Sequence, residues 1–364
     1  MVNKKDKYIF SLKAILWTYI IMCIIIAGLN YGYASKAPKD VAEAINWIWQ
    51  FYENWIKTIF IIAGSFLTIT IIGRSKRTKM RKANLIGLII AALIVHVIMP
   101  LLFHNGDVYF FAMPLPWTTV PLQLLYHNSS FYKSYFPIWG VAGISSVLIF
   151  YVLVSIIVFI GTFLYGRRWQ CSTICLFNGF ASEVFDPVFP LLGKKKHLNQ
   201  KELKIFTLLR WLFFAISLFL TTWWILFLSG VFLGGNYDAI SKIESYKYLA
   251  GELLMAMFFW IALTGRGYCY YCPLGTVLGL ISKIAGQKIT TNNSKCIQCG
   301  QCNESCPMSI DIKSATYYGK DVADIRCVGC GHCVDACPTK TLSYTTKVLS
   351  ILKKRSKKSF SMHV

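Results

Sequence analysis

The stretch CIQCGQCNESCP, residues 296–307, returns in closely related form as CVGCGHCVDACP at residues 327–338. Both segments follow the pattern C-x2-C-x2-C-x3-C-P. The two halves also align between the cysteines, since Gly300 corresponds to Gly331 and Pro307 to Pro338. The chain has 13 cysteines, and eight of them at this close spacing favour metal ligation over disulfide bridging.

This spacing is typical of bacterial ferredoxins that carry two [4Fe–4S] clusters. The first three cysteines of each run bind one cluster, and the fourth, before proline, completes the other. The predicted ligands are Cys296, Cys299, Cys302 and Cys337 for the first cluster, and Cys327, Cys330, Cys333 and Cys306 for the second. Residues 286–345 should form this ferredoxin domain, with a strand, a cluster loop and a short helix in each half. A zinc site is disfavoured because zinc ligands come in pairs without the final Cys-Pro.

The remainder of the chain is strongly apolar. Of the 364 residues, 55% are hydrophobic and 15% are charged, whereas a soluble domain carries about a quarter charged residues. Six segments approach the length of about 20 apolar residues with which a helix crosses a bilayer. They are residues 9–29, 55–72, 85–103, 138–165, 205–228 and 248–264. We therefore predict a mostly α fold, in which a six-helix transmembrane bundle (1–285) precedes an α+β ferredoxin domain (286–345) and a basic tail (346–364).

Basic residues are distributed unevenly among the loops of this topology. With a cytoplasmic N-terminus, the inner segments before residue 264 hold 18 lysines and arginines and the outer segments hold six. Cytoplasmic loops of membrane proteins are enriched in these residues. The prediction is a multi-pass protein of the cytoplasmic membrane, in contact with lipid, with both termini and the ferredoxin domain in the cytoplasm. The net charge of +22 has the same explanation, and since no nucleic-acid-binding motif accompanies it, nucleic acid is not an expected partner.

Two more cysteine pairs follow the predicted fourth and sixth spans. In YGRRWQCSTICLFNG, residues 165–179, and in TGRGYCYYCPLG, residues 264–275, a Gly-Arg pair precedes two cysteines. Parallel spans would bring Cys171, Cys175, Cys269 and Cys272 to one face of the membrane. A nearby arginine favours the thiolate form, and cysteines four apart share one side of a helix. Three interpretations stay open for these four residues: a further metal or redox centre, a reversible dithiol pair, or structural buried cysteines.

Six spans, the two Gly-Arg-cysteine motifs and the double ferredoxin motif together resemble the NapH and NosR family of membrane-bound ferredoxin-type proteins. The resemblance covers most of residues 50–340. It implies electron exchange between the quinone pool and a partner, as a quinol dehydrogenase-like component of a larger oxidoreductase system. The cysteine motif of that family is C-x3-C-P. In this chain Leu176 stands in place of the proline after Cys175, and Cys269 and Cys272 are one residue closer together.

The expected function is one-electron transfer between a quinone, or a membrane or extracytoplasmic redox partner, and a cytoplasmic carrier. That carrier would be a ferredoxin or flavodoxin-like protein or a partner oxidoreductase. His96, in the third span, is a candidate for quinone contact, haem ligation or simple packing. The aromatic outer loop, residues 104–137, is either an interfacial belt, a cap over a quinone pocket or a docking surface for an external partner.

Two other functions fit the same motifs. The first is an assembly or maturation factor that reduces a metal ion or a thiol for another enzyme, and the second is a redox sensor. A self-contained NAD(P)H reductase is disfavoured because the sequence contains no glycine-rich nucleotide-binding motif.

Overall fold

Long apolar helices form most of the molecule, which is known from a computed structural model that describes residues 4–73, 78–193, 197–231 and 237–352. Five of these helices are long and apolar enough to cross a membrane: Lys5–Tyr33, Lys39–Ile72, Lys79–Phe103, Ser130–Tyr165 and Gln200–Leu228. They contain the first five predicted spans and support the interpretation of a membrane protein. The predicted mostly helical class is confirmed.

The sixth predicted span, residues 248–264, is not confirmed as a crossing helix. The chain is helical there, with α-helices Tyr237–Tyr246 and Met255–Ala262 joined by the π-helix Lys247–Leu254. Within the described ranges, however, this segment falls outside the set of helices that are apolar enough to cross a bilayer. Glu252 in this segment forms an ion pair of 3.2 Å with Lys247, which immediately precedes the segment, and both side chains are almost completely buried. The sixth crossing therefore stays a prediction.

Several helices contain π-helical turns that place polar side chains in the interior. The turn Tyr52–Ile56 buries Glu53 and Asn54, and the turn Leu93–Ile98 buries His96. Such turns occur often at functional sites because the extra residue in the turn redirects the side chains. Shorter elements complete the membrane part: the π-helices Gly28–Tyr33 and Trp169–Ile174, the 3-10 helix Gly106–Ala112, and the α-helices Val120–Gln123, Asn178–Val184 and Pro273–Ile284.

The aromatic outer loop folds back onto the helices. Tyr109, Phe111 and Trp117 are buried in it. The Trp49 indole donates to the Tyr109 hydroxyl at 3.2 Å, and the Asn54 amide donates to the Gly106 carbonyl at 2.8 Å. These contacts join the loop to the second long helix and favour the cap over the interfacial belt.

The ferredoxin domain contains one small antiparallel sheet. Strand β1 (Lys288–Thr290) pairs with β2 (Ser343–Thr345), and Ile289 lies opposite Tyr344. The domain's helices are Gln301–Glu304, Ile312–Tyr317 and His332–Ala336. The expected strand before each cluster loop is present only in the first half, because Val322 in the second half forms only an isolated bridge with Ile289.

Two glycines show that the cysteine loops repeat in conformation as well as in sequence. Gly300 and Gly331 immediately precede the helices Gln301–Glu304 and His332–Ala336, with φ of 77° and 78°. This left-handed conformation costs a residue with a side chain free energy, but glycine adopts it readily. The internal repeat inferred from the sequence is therefore also present in the backbone.

The ferredoxin domain lies against the end of the fourth long helix. The Tyr344 hydroxyl donates to the Tyr165 carbonyl at 2.7 Å, and the Arg167 amide donates to the Gln287 side chain at 2.6 Å. Gly166 lies between them with φ of 76°, and a Cβ at that position would be 2.3 Å from the Tyr344 hydroxyl. The glycine of this Gly-Arg pair thus ends the helix and makes room for the domain.

Candidate redox site

The first predicted ligand set surrounds one small cavity. Cys296, Cys299, Cys302 and Cys337 all line it. Cys299 is exposed, so this cavity lies at the surface of the domain. Burial would raise the pKa of the Cys337 thiol, but hydrogen bonds from Thr341 and Thr339 outweigh it and lower that pKa. The four sulfur atoms come from both halves of the repeat, as the spacing predicts.

The second ligand set surrounds a separate cavity deeper in the molecule. Cys306, Cys327, Cys330 and Cys333 line a small space whose other walls are mostly apolar. Three of these cysteines are buried and Cys327 is half-buried. A Cβ on the neighbouring Gly331 would lie 2.5 Å from the Met80 sulfur, so this cavity faces the membrane helices. Two sets of four thiols around two separate spaces match the donor set that [4Fe–4S] clusters require.

The four membrane-edge cysteines also come together. Cys171 interacts electrostatically with Cys269, and Cys175 and Cys272 each interact with both of these. All four are free thiols. Their local structure differs from the expected helical pair, because Cys171 lies in a π-helix and Cys175 follows it in extended conformation. Cys272 instead caps the helix Pro273–Ile284, where its sulfur accepts from the Gly275 amide at 3.3 Å.

The two arginines of the Gly-Arg pairs point inward, to these thiols. Arg167 and Arg266 are each about 1% exposed. Arg167 donates to the Cys171 sulfur at 3.2 Å, and Arg266 lies 3.8 Å from the Cys269 sulfur. Burial raises the pKa of the Cys171 thiol and outweighs the opposing effect of Arg167. Arg167 thus favours the thiolate form of Cys171, as expected, but its effect on the pKa is smaller than that of burial.

Glu183 joins the membrane-edge thiols to the second ferredoxin cavity, and no sequence motif pointed to it. Its carboxylate accepts from Arg266 on one side and lies 3.1 Å from His332 Nε2 on the other. His332 stands between the cluster cysteines Cys330 and Cys333. Burial would raise the pKa of Glu183, but His332 and Arg266 lower it to about 2. A permanently ionised carboxylate thus connects the two thiol sites.

Oxygen, nitrogen and sulfur atoms from Glu183, His332 and Cys330 lie within 4.8 Å of one another. This is the single group of that tightness found among the described residues. Because Cys330 belongs to a ferredoxin ligand set, we interpret the group as a polar connection to the cluster site and not as a separate metal centre.

A large apolar cavity lies between the helices, next to the segment that carries Cys171 and Cys175. Its volume is about 420 Å³, and its walls include His96, Trp117 and Gln170. Each of these residues has a buried polar atom that lacks a hydrogen-bond partner within the described part of the chain: His96 Nε2, Trp117 Nε1 and Gln170 Oε1. Buried polar atoms without partners are rare in native proteins and call for an explanation such as a bound ligand.

The orientation of His96 follows from its neighbour Asn54. The Asn54 amide nitrogen donates to the carbonyls of Gln50 and Gly106, both at 2.8 Å. Asn54 Oδ1 must therefore be the acceptor in its contact with His96 Nδ1, at 3.2 Å. A neutral imidazole that donates from Nδ1 has a free acceptor at Nε2. His96 thus presents a hydrogen-bond acceptor to the cavity.

Comparison with known proteins identifies the C-terminal domain. Residues 295–342 match the 4Fe-4S dicluster domain family. An uncharacterised protein, MJ0749, of Methanocaldococcus jannaschii is 28% identical over 166 residues, which cover 44% of this chain and 59% of that protein. The "Putative electron transport protein YccM" of Escherichia coli is 40% identical over 43 residues, or 12% of either chain. No solved structure matches.

The family match lies in the iron–sulfur part of the molecule. The chain spans less than two thirds of either relative. The resemblance to the NapH and NosR family, drawn from the motifs, therefore stays a prediction. What the findings support is a ferredoxin-type iron–sulfur protein of electron transport, with a 4Fe–4S domain attached to membrane-type helices.

Proposed function

We propose that this protein carries electrons between a quinone in the membrane and a cytoplasmic redox carrier, by way of two [4Fe–4S] clusters. Cys296, Cys299, Cys302 and Cys337 would hold the first cluster, and Cys306, Cys327, Cys330 and Cys333 the second. Each cluster supplies a one-electron redox couple when bound. One quinol releases two electrons and two protons on oxidation, so two single-electron acceptors balance it.

The observation that carries the quinone assignment is the apolar cavity with its three unpartnered polar atoms. Ligand sites are typically apolar spaces with a few well-placed polar groups. His96 Nε2 can accept a hydrogen bond from a quinol hydroxyl, and Trp117 Nε1 can donate one to a quinone oxygen. A buried Glu53–Lys57 ion pair, 2.7 Å long, also lines the cavity and provides a nearby charged group for proton release.

The position of the cavity supports the same function. Gln170, Leu176 and Phe177 line it, and these residues directly flank Cys171 and Cys175 in the chain. A ligand in the cavity would therefore lie next to the membrane-edge thiols. The closing outer loop, through Tyr109 and Trp117, would separate the ligand from water on the opposite side.

The carrier side of the molecule is the ferredoxin surface around Cys299. This cysteine is exposed, so the first cluster site is accessible to a soluble partner. The chain has a net charge of +22, which would attract an acidic carrier such as a ferredoxin or flavodoxin in a salt-dependent manner. From the distribution of basic residues we place this surface, and both termini, on the cytoplasmic side of the cell membrane.

The test uses the full-length protein in anaerobic lipid nanodiscs. A soluble menaquinol analogue is mixed with the oxidised protein, and bleaching of the iron–sulfur absorbance is followed by stopped flow. We expect reduction by the quinol or, in the reverse direction, reoxidation of dithionite-reduced protein by the quinone.

Inertness towards both quinol and quinone, with intact clusters, would refute the proposal. The maturation-factor alternative predicts instead rapid turnover with Cu(II) or Fe(III) and no dependence on quinone.

A further inference from the structure

The four thiols at the membrane edge have an environment that neither ferredoxin set explains. Cys171, Cys175, Cys269 and Cys272 come from two segments about 100 residues apart, and the fold brings these segments together. Arg266 donates to the Cys171 carbonyl at 2.6 Å and lies 3.8 Å from the Cys269 sulfur. Cys171 and Cys269 are buried and the other two are half-buried, and all four are free thiols.

Every one of the four sulfur atoms accepts hydrogen bonds from N–H groups. The donors are the Arg167 side chain to Cys171, the Gly179 backbone to Cys175, the Asn178 side chain to Cys269 and the Gly275 backbone to Cys272. Asn178 is itself held by the Trp260 indole, which donates to its oxygen at 2.7 Å. Such N–H donors to sulfur are the means by which proteins tune iron–sulfur clusters.

The two buried arginines beside the thiols carry more positive charge than the nearby carboxylates of the described residues neutralise. Arg167 and Arg266 are both about 1% exposed. Glu183 neutralises Arg266, but no carboxylate of the described residues forms an ion pair with Arg167. A buried charge without a counter-charge is costly. Four thiolates around a [4Fe–4S]²⁺ core carry a net charge of −2 and would provide that counter-charge.

The four thiols are more widely spaced than the ligands of a single ion. Four thiolates around one zinc, each about 2.3 Å from the metal, place their sulfur atoms about 3.8 Å apart. Across the described part of the chain, no three cysteine sulfurs lie within 4.8 Å of one another, and this holds for the two ferredoxin sets as well.

Glycine keeps the space around these sulfurs open. A Cβ on Gly179 would lie 2.6 Å from the Cys175 Cβ and 2.8 Å from the Cys171 carbonyl oxygen. A Cβ on Gly275 would lie 2.5 Å from the Arg167 guanidinium. A side chain at either position would displace a thiol or the arginine.

We propose that Cys171, Cys175, Cys269 and Cys272 bind a third iron–sulfur cluster of the [4Fe–4S] type. On binding, four S–H bonds are replaced by four Fe–S bonds and four protons are released. The site lies between the apolar cavity and the second ferredoxin site, since the neighbouring Ser172 donates to the Val328 carbonyl at 3.1 Å. Only this intermediate role rests on the proposed function, because the binding itself follows from the thiols and arginines.

The test is an iron and sulfide count on the full-length protein after anaerobic reconstitution. The wild type should contain about twelve irons and twelve sulfides per chain, four for each cluster. Cys171→Ala and Cys272→Ala should each contain about eight, and should keep both ferredoxin EPR signals after dithionite reduction. Cys23→Ala is the matched control, since it removes a buried thiol from the first long helix and should leave the count at about twelve.

A wild-type count of about eight irons, with both ferredoxin signals fully developed, overturns the proposal whatever the variants do. One zinc per chain that disappears in Cys272→Ala also overturns it, in favour of a single-ion site. The two proposals can fail separately. Twelve irons in a protein inert to quinol would refute the quinone function alone, and eight irons in a protein reduced by quinol would refute the third cluster alone.

Discussion

Replacement of His96 by leucine tests the quinone site at the atom that defines it. The His96 side chain is about 1% exposed, its Nδ1 is engaged by Asn54, and its Nε2 faces the cavity without a partner. Leucine fills a similar apolar volume but offers no acceptor. We expect weaker quinol binding and slower electron release from the quinol, while the iron content is unchanged.

The expected size of the change in KM and in maximal rate follows from the hydrogen bond and the proton transfer that His96 Nε2 can provide. A net hydrogen bond is worth about 1 kcal/mol, which corresponds to roughly a fivefold higher KM for the quinol analogue. If Nε2 also takes the quinol proton, the loss of a general base lowers the maximal rate by a further factor of about 100 or more. A change in KM alone would assign His96 to binding, and a change in both would assign it to proton transfer as well.

The assay is anaerobic stopped-flow reduction in nanodiscs over a range of quinol concentrations. His127→Leu is the matched control, because His127 lies outside the cavity and packs against Tyr132 at a tilt. Equal KM and equal maximal rate in His96→Leu and wild type, with equal iron content, would show that the cavity does not hold the quinol.

Three further changes test the site and its surroundings. Glu183→Gln leaves Arg266 buried without its counter-charge and should lower the free energy of unfolding by about 3–5 kcal/mol, measured by denaturant titration in mixed micelles. Burial raises the pKa of Asp107 to about 6, so the folded protein keeps a proton there that the unfolded chain has lost, and stability should fall by about 2 kcal/mol as the pH rises from about 4 to 6. Asp107→Asn should abolish this component of the pH dependence, as followed by unfolding at several pH values. Gly179→Ala forces a Cβ against Cys175 and should reduce the iron count by about four while both ferredoxin EPR signals persist.

Glu183→Gln and Gly179→Ala each have a matched comparison. Glu43→Gln breaks an exposed pair with Lys39 and should alter stability by less than about 1 kcal/mol. Gly28→Ala adds a Cβ with nothing within 4 Å and should leave the iron count unchanged. Equal destabilisation by Glu183→Gln and Glu43→Gln would contradict the role of Glu183 as a buried counter-charge. A pH profile identical in wild type and Asp107→Asn would contradict the protonation of Asp107 in the folded protein.

The cluster sites show how far local sequence can specify a redox protein. Three ligands of each ferredoxin set lie within seven residues of one another, and glycines with positive φ allow the loop to turn around the cavity. The position of these three ligands around one cavity therefore follows from the cysteine spacing alone. The exchange of Cys306 and Cys337 between the two sites is likewise implied by the Cys-Pro ending, and the fold places both residues accordingly.

Of the six predicted spans, five were confirmed as long apolar helices. Long uninterrupted apolar runs predicted five helices, because burial of apolar surface in lipid depends mainly on composition and length. The segment 248–264 is not among these helices, and its Glu252 pairs with Lys247 just before it. The expected helical pair at Cys171 and Cys175 is wrong because the π-helix Trp169–Ile174 ends before Cys175, which is extended.

The sequence by itself determined the class of cofactor and the presence of membrane-type helices and predicted eight thiol ligands, since each depends on spacing or composition within a short window. Only the tertiary structure decided that Glu183 faces His332 across 149 residues, that Asn54 fixes the free acceptor of His96, and that two distant cysteine pairs surround buried arginines. The physical reason is that hydrogen bonds and ion pairs between distant segments depend on packing geometry, which leaves no periodic trace in the chain.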